Sequence, residues 1–242
     1  MGPPVAREFA TGIALALRDA GHSALLAGGC VRDRLRGVAP KDYDVATSAR
    51  PEEVQAIFPK TVAVGAAFGV VVVVEGDLRV EVATFREDVG VADGRHPASI
   101  RFADARADAL RRDFTVNGLF EDPATGEVLD FVGGREDLEA RVVRTIGDPA
   151  TRFREDRLRM LRAVRFGVQL DFRIEPATAA ALRAMADGIA GVSAERIREE
   201  LCRILLSGRG GRGLGLLHEA GLLRAILPEI AALDGVEQPA EF

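Results

Sequence analysis

The chain has 242 residues, of which 48% are hydrophobic and 29% are charged, and its formal net charge is −5 at pH 7. This length and apolar content predict one large domain or two small ones with a buried core. The acidic balance argues against binding nucleic acid through overall charge, but the distribution of charge matters more than its sum. Seven arginines fall within 22 residues, between Arg152 and Arg173.

Neither a membrane span nor a disulfide scaffold is expected. The longest apolar run, residues 70–74, is too short to cross a bilayer, and the N-terminus lacks the pattern of a secretory signal. Cys30 and Cys202 are the only cysteines, which fits a reducing compartment. We therefore expect a cytoplasmic protein without membrane contact, and the sequence leaves its oligomeric state open.

Hydrophobic periodicity predicts alternating helices and strands over roughly the first 145 residues. In chain order these are a helix at 5–20, a strand at 24–27, a short helix at 31–35, a strand at 43–47, a helix that begins after Ser48, and strands at 62–64, 70–74 and 80–84. Gly76-Asp77 turns the last two strands into a hairpin. The polar segment 86–107 has no clear period, so we expect a mobile functional loop there.

The pattern becomes helical from Pro149 onward, with predicted helices at 152–168, 176–185, 194–206 and 213–219. Two domains are therefore predicted, a mixed α/β domain at 1–147 and a helical one at 148–242. The string 208–213 matches the dinucleotide-binding pattern G-x-G-x-x-G, but that pattern requires a preceding strand. A predicted helix precedes it here, so we interpret the string as a helix end and a linker.

The pair Gly28-Gly29 lies at a predicted strand-to-helix junction, and Arg32 follows within the helix. Glycine lets the backbone approach a phosphate, to which the helix N-terminus adds a favourable dipole. Arg32 would add a fork of donors. The alternative is a tight turn beside a surface arginine. The order Gly-Gly, Arg, Asp and then Asp-x-Asp within seventeen residues favours the phosphate site.

Two carboxylates, Asp42 and Asp44, alternate on the next predicted strand and so project to the same face. Adjacent carboxylates repel, and a divalent cation removes that penalty. Hard oxygen ligands open to solvent suit Mg²⁺, which keeps coordination sites for phosphate oxygens. Glu81, on a neighbouring predicted strand, is a candidate third ligand and catalytic carboxylate. The alternative is an ordinary Asp-x-Asp surface turn.

Several blocks resemble, in the right order, the class II tRNA nucleotidyltransferase/poly(A) polymerase family, which includes bacterial CCA-adding enzymes. They are residues 26–35 with 41–47, 81–86 with 93–97, 111–118, 130–138, 154–166 and 193–201. The resemblance implies an α+β fold. A polymerase β-like nucleotidyltransferase head with a mixed sheet and helices would span 1–147, and an all-helical neck and partial body would span 148–242. Gly118 stands where alanine is usual, and members are usually longer, so we expect a truncated or unusually short member.

The resemblance also implies roles for individual residues. The metal pair would be Asp42 and Asp44, with Mg²⁺ as the cofactor. The remaining implied contacts are with the nucleotide: Gly29 and Arg32 at the triphosphate, with Gly28 and Asp33 also binding the nucleotide, Arg112, Asp113 and Asn117 at the ribose, Asp156 and Arg159 at the base with Glu155 in support, and Arg162 and Arg165 at the triphosphate or primer. The segment 86–107 corresponds to the loop that helps to switch specificity from C to A.

Asp156 and Arg159 are three residues apart on a predicted helix and would share a face. An arginine offers paired donors and a carboxylate orients it, which together can satisfy the edge of cytosine or adenine. The alternative is an i,i+3 salt bridge on a solvated helix.

The leading hypothesis is a template-independent nucleotidyltransferase that adds C and/or A from CTP or ATP to the 3′ end of tRNA, with Mg²⁺. The string 64–69 resembles the tRNA-repairing branch more than the poly(A) polymerase branch. The alternatives are a poly(A) polymerase, a noncatalytic RNA- or nucleotide-binding module, and another metal-dependent phosphotransferase. The absence of a His-Asp dipeptide weakens the last of these.

Overall fold

The computed structural model describes residues 3–65, 68–90 and 99–237, which divide into two compact units. The first unit comprises the described residues up to Ala140, and the second begins at Arg141. The sequence predicts the boundary at 147/148. Among the helices of the described ranges, none has both the length and the apolar character that a membrane crossing requires.

The first unit is built on a seven-stranded mixed sheet. Its strands are β1 (Ala24–Ala27), β2 (Asp44–Thr47), β3 (Thr61–Gly65), β4 (Val70–Glu75), β5 (Leu78–Thr84), β8 (Leu119–Glu121) and β9 (Val128–Asp130), and a separate ribbon pairs β6 (Arg86–Val89) with β7 (Ser99–Phe102). Its helices are α1 (Pro3–Asp19), α2 (Gly29–Leu35), α3 (Pro51–Ile57), α4 (Ala105–Arg111) and α5 (Gly134–Glu139). The strand order is β3-β4-β5-β2-β1-β8-β9, and β2–β5 is a parallel pair while the other neighbours are antiparallel.

Both faces of the sheet are covered by apolar side chains. On one face, α1 contributes Leu17 to a cluster with Val31 and Val45. On the other face, Phe85 and Phe120 belong to a second cluster and meet edge to edge, with ring centroids 6.2 Å apart. Because it is central, β1 is buried along its whole length. This double burial fixes the end of β1, from which the glycine turn leaves the sheet.

The predicted elements of the first unit agree with the structure except in the segment 86–107. The prediction of one long loop is wrong at its ends, because β6 and β7 form an antiparallel ribbon and α4 begins at Ala105. Neither strand of the ribbon buries a residue. Three of the four residues of β6 are charged, and the alternation in β7 covers only four residues, so the sequence carries only a weak strand signal. Residues 91–98 of the predicted loop lie outside the described residues.

The second unit is mainly helical. Its elements are β10 (Val142–Val143), α6 (Pro149–Glu155), α7 (Arg159–Gln169), β11 (Arg173–Ile174), α8 (Pro176–Met185), a 3-10 segment (Ala186–Gly191), α9 (Ala194–Leu205), α10 (Gly210–Glu219), α11 (Leu222–Ile226) and α12 (Pro228–Ala231). The parallel pair β10–β11 departs from the all-helical prediction. The string 208–213 follows the end of α9 as predicted, but the predicted linker is shorter, because α10 already begins at Gly210. An added Cβ at Gly213 would overlap Ile204, so the glycine permits close packing of these helices.

The predicted single helix 152–168 is wrong, because the structure has two helices with a break at Asp156. This residue has φ −146° and ψ 106°, outside the helical region. Its Oδ1 accepts a hydrogen bond from the backbone N–H of Leu158 at 3.1 Å. Such a local side-chain bond competes with the helical backbone bond and ends the helix.

Candidate functional site

The carboxylates Asp42, Asp44 and Glu81 belong to the β2–β5 region of the sheet. Asp44 is the first residue of β2, and its Cα partner in β5 is Glu81. Asp42 lies two residues before Asp44, and both are exposed, whereas Tyr43 between them is 7% exposed. This alternation confirms that the two aspartates are turned away from the core that takes Tyr43.

The environment of Asp44 disfavours its negative charge. Its side chain keeps an exposed surface, yet surrounding protein atoms desolvate it, and this together with the charges of Glu81 and Asp42 raises its pKa to about 6 against the opposing effect of Arg112. Within the described ranges, no three His, Cys, Asp or Glu side chains form a preassembled metal cluster. The donors are nevertheless all carboxylate oxygens with excess negative charge, which is the set that suits Mg²⁺.

The glycine turn directly follows the strand position beside Asp44. Ala27, the last residue of β1, is the Cα partner of Asp44. Gly28 then adopts φ 73° and ψ −127°, a conformation open to glycine, and α2 begins at Gly29. A Cβ on Gly28 would lie 3.0 Å from Nη1 of Arg112. The structure therefore brings the predicted phosphate turn, the predicted metal pair and Arg112 together at one end of β1 and β2.

Arg32 is held inside the turn by a network of side chains and is 9% exposed. Its Nε and Nη2 donate to the carboxylate of Asp33 at 2.9 and 3.0 Å, and its Nη1 donates to Oδ1 of Asn117 at 2.6 Å. Asn117 in turn donates from Nδ2 to Asp113 at 3.1 Å. The predicted triphosphate group and the predicted ribose group are thus joined by hydrogen bonds. Direct contact of Arg32 with a triphosphate stays a prediction.

Arg112, from the predicted ribose group, is anchored by a residue that the sequence analysis missed. Its Nε and Nη2 donate to Oδ2 of Asp108 at 3.1 and 2.9 Å, and Asp108 is 1% exposed. Burial would raise the pKa of Asp108, but Arg112 and Arg111 together hold it below its ordinary value. The available signal was the spacing of Asp108 from Arg111 and Arg112, at i+3 and i+4 on a helix.

In the second unit, Asp156 and Arg159 have different partners. Arg159 donates to Oε2 of Glu155 at 2.7 Å, whereas both carboxylate oxygens of Asp156 accept from Nη2 of Arg196 on α9. The prediction that Asp156 and Arg159 share a face of one helix is wrong, because the break at Asp156 separates them. Glu155 does support Arg159 geometrically. The base-reading roles of the three residues stay predictions.

Arg162 and Arg165, which follow Arg159 on α7, lie in different environments. Arg165 is 8% exposed and donates from Nε to Oε2 of Glu200 on α9 at 2.6 Å, with its guanidinium carbon 4.2 Å from the ring centroid of Phe166. Arg162 is half-buried, and its guanidinium carbon lies 5.5 Å from the same centroid. Arg165 therefore joins α7 to α9 in this structure, and its predicted contact with triphosphate or primer stays a prediction.

Comparison with known proteins identifies the family. Residues 24–144 match the sequence model of the family described as poly A polymerase head domain, and residues 171–233 match that of the probable RNA and SrmB-binding site of polymerase A. The CCA-adding enzyme of Geobacillus stearothermophilus is 44% identical over 235 residues, which cover 97% of this chain and 57% of that protein. The chain belongs to the class II tRNA nucleotidyltransferase/poly(A) polymerase family.

Another branch of the family is also similar. Poly(A) polymerase I of Escherichia coli O6:H1 is 41% identical over 234 residues, which cover 92% of this chain and 50% of that protein. A solved structure of the Bacillus stearothermophilus CCA-adding enzyme in complex with CTP superimposes with a TM-score of 0.83 at 43% identity, covering 92% of this chain and 53% of that one. The predicted fold class is confirmed. The chain spans about half the length of the curated relatives that it matches.

Proposed function

We propose that this chain is the nucleotide-adding part of a template-independent RNA nucleotidyltransferase. It would transfer C and/or A from CTP or ATP to the 3′ end of tRNA. The observation that carries the proposal is the placement of Asp44 beside both Glu81 and the last residue before the Gly28 turn. The similarity to CCA-adding enzymes, one of them solved with CTP, supports the choice of substrates.

In the head region (1–147), the carboxylates would bind the metal and the glycine turn would bind the phosphates. Enzymes of this family are metal-dependent, and Asp42 and Asp44 would hold Mg²⁺, with Glu81 as the third carboxylate. When bound, the metal lowers the pKa of the attacking hydroxyl and stabilises the leaving pyrophosphate. The N–H of Gly28 donates to the carbonyl oxygen of Leu119 at 2.9 Å, and the lack of side chains at Gly28 and Gly29 would let phosphate oxygens approach the backbone of the turn. Asp33 and Asn117 orient Arg32, so its charge is fixed before the nucleotide binds.

In the neck and body region (148–242), Arg159 and Asp156 would read the incoming base. Glu155 fixes the guanidinium of Arg159, which leaves further N–H donors for a base edge. Arg196 orients the carboxylate of Asp156, which keeps lone pairs for an exocyclic amine. Oriented donors and acceptors of this kind can select a base without a template strand. A cytoplasmic location fits the two free cysteines.

A poly(A) polymerase is the second candidate, because the relative from Escherichia coli carries that name at 41% identity. A noncatalytic binding module remains a third, although a pure binder gains little from adjacent carboxylates. The candidates differ in the RNA ends that they leave.

The test is to incubate the chain with tRNA lacking one, two or three 3′ nucleotides, Mg²⁺, and CTP and ATP separately and together, and to sequence the ends. We expect each end to be completed to CCA or extended by part of it, and Asp42→Ala to abolish the extension. Asp77→Ala, in an exposed hairpin turn, is the matched control and should extend normally. Long runs of A would favour a poly(A) polymerase. CTP binding without extension of any tRNA would favour the binding module.

A further inference from the structure

Asp108 is a buried carboxylate outside all of the sequence blocks named above. It lies on α4 and binds two neighbouring guanidinium groups at once. Its Oδ2 accepts from Nε and Nη2 of Arg112 at 3.1 and 2.9 Å, and its Oδ1 accepts from the same two atoms of Arg111 at 2.8 and 2.6 Å. Two charge-assisted hydrogen bonds from each guanidinium to one carboxylate oxygen restrict where that guanidinium lies.

The guanidinium of Arg112 is thereby held at the glycine turn. Its Nη1 donates to the backbone carbonyl of Asn117 at 3.3 Å, and its carbon lies 4.8 Å from the ring centroid of Phe120. The same Nη1 is 3.0 Å from where a Cβ on Gly28 would be. Because Gly28 has no side chain, the space beside this guanidinium stays open. Asp108 determines where the guanidinium lies.

We infer that Asp108 is a positioning residue of the nucleotide site, which holds Arg112 against the Gly28 turn so that its positive charge meets the phosphates of the incoming nucleotide, in place of the ribose contact that the family resemblance implies for Arg112. The inference rests on the proposed function, which assigns the triphosphate to that turn. Without the carboxylate, Arg112 would regain side-chain freedom and would be repelled by the nearby charge of Arg111. Both effects would weaken binding of a polyanion at Gly28.

The chain offers a matched control on the same helix. Asp104 caps α4 by accepting a hydrogen bond from the backbone N–H of Ala107 at 2.8 Å, whereas Arg112 donates to Asp108. Asp104→Ala removes the cap and destabilises the helix. It therefore reproduces a loss of helix stability without releasing Arg112.

The experiment measures the Kd of the chain for CTP by isothermal titration, without RNA, together with the melting temperature of each variant. We expect Asp108→Asn to weaken CTP binding about tenfold, as the loss of a charged hydrogen-bonded anchor implies. Asp104→Ala should lower the melting temperature but bind CTP as the wild type does. If Asp108→Asn does not fold, Asp108→Glu replaces it. The longer side chain displaces the guanidinium and should weaken binding about threefold, the low end of what one hydrogen bond contributes.

A double-mutant cycle separates a positioning role from a structural one. Arg112→Lys removes the fork that Asp108 binds, so the effect of Asp108→Asn on the Kd should vanish in that background. A wild-type chain that does not bind CTP contradicts the proposed function itself. If the wild type binds CTP and the folded Asp108 variants bind it equally well, or if the two substitutions act additively, the inference is overturned.

Discussion

Asp44 and Glu81 are direct Cα partners across the parallel strands β2 and β5, so two carboxylates occupy neighbouring positions of the sheet. Like charges at such positions destabilise a sheet. The charge of Asp42 adds to the repulsion, and Arg112 opposes it only in part. The arrangement therefore opposes folding of the metal-free protein, and the proposed divalent cation would offset this repulsion.

The first prediction concerns stability and pH. The folded-state pKa of Asp44 is about 6, above the ordinary 3.8, so ionisation of this residue destabilises the fold. The penalty is absent below about pH 4 and complete above about pH 6. Asp44→Asn should therefore stabilise the metal-free chain at pH 7.5 by about 1 kcal/mol after allowance for solvent exposure. This corresponds to roughly 2–4 °C in melting temperature.

Thermal melts from pH 4 to pH 8 in EDTA check this prediction, with Asp77→Asn as the control. The advantage of Asp44→Asn should grow between pH 4 and pH 6 and then level off, while Asp77→Asn shows none. Excess MgCl₂ at pH 7.5 should raise the melting temperature of the wild type but not of Asp44→Asn. An advantage that is independent of pH would contradict the electrostatic explanation.

The second prediction compares Gly28, where ψ −127° and contact with Arg112 both oppose a side chain, with a glycine that has a positive φ and no contact. Gly28→Ala places a Cβ against Arg112 at a positive φ, whereas Gly37→Ala has a similar φ of 70° with nothing within 4 Å. We expect Gly28→Ala to cost about 2 kcal/mol and Gly37→Ala about 1 kcal/mol. Denaturant unfolding measures both. CTP affinity should fall in Gly28→Ala alone, and an equal loss in the two variants would show that contact with Arg112 is unimportant.

The third prediction concerns base selection by Arg159. Arg159→Ala should reduce the preference between CTP and ATP about tenfold, as expected for the loss of charged hydrogen bonds to a base. Competition between the two nucleotides during incorporation measures the preference. Arg154→Ala is the control, because Arg154 lies in the same segment with its side chain 67% exposed. An Arg159→Ala variant that melts early but keeps its C-versus-A preference contradicts the base-reading role.

Local patterns predict much of the head region from the sequence. The strand at Ala24–Ala27 agrees with the predicted one because its apolar run ends at a glycine pair. The alternation of Asp42, Tyr43 and Asp44 correctly predicts which side chains face away from the core. The sequence indicates Glu81, on a neighbouring strand, as a candidate third carboxylate beside Asp44, but it does not give their register. The Asp44–Glu81 register depends on parallel pairing between distant segments, which no local period encodes.

Other features depend on side-chain contacts that a sequence pattern does not show. The break at Asp156 arises from one side-chain hydrogen bond to Leu158, and no glycine or proline marks it. Arg165 follows Arg162 at helical spacing, as an exposed arginine would. It nevertheless forms a buried pair with Glu200, which lies 35 residues later. Asp108 likewise resembles a surface carboxylate in the sequence. In the structure it is buried and paired with Arg111 and Arg112.

The most direct measurement of the central claim is the rate at which the chain adds labelled CTP to tRNA that lacks its 3′ end. Wild type and Asp77→Asn are compared with Asp44→Asn, which keeps the shape of the side chain but not its charge. We predict equal rates for the first two and no detectable incorporation by Asp44→Asn, although it remains folded. Incorporation by Asp44→Asn at the wild-type rate would contradict a catalytic site built on this carboxylate.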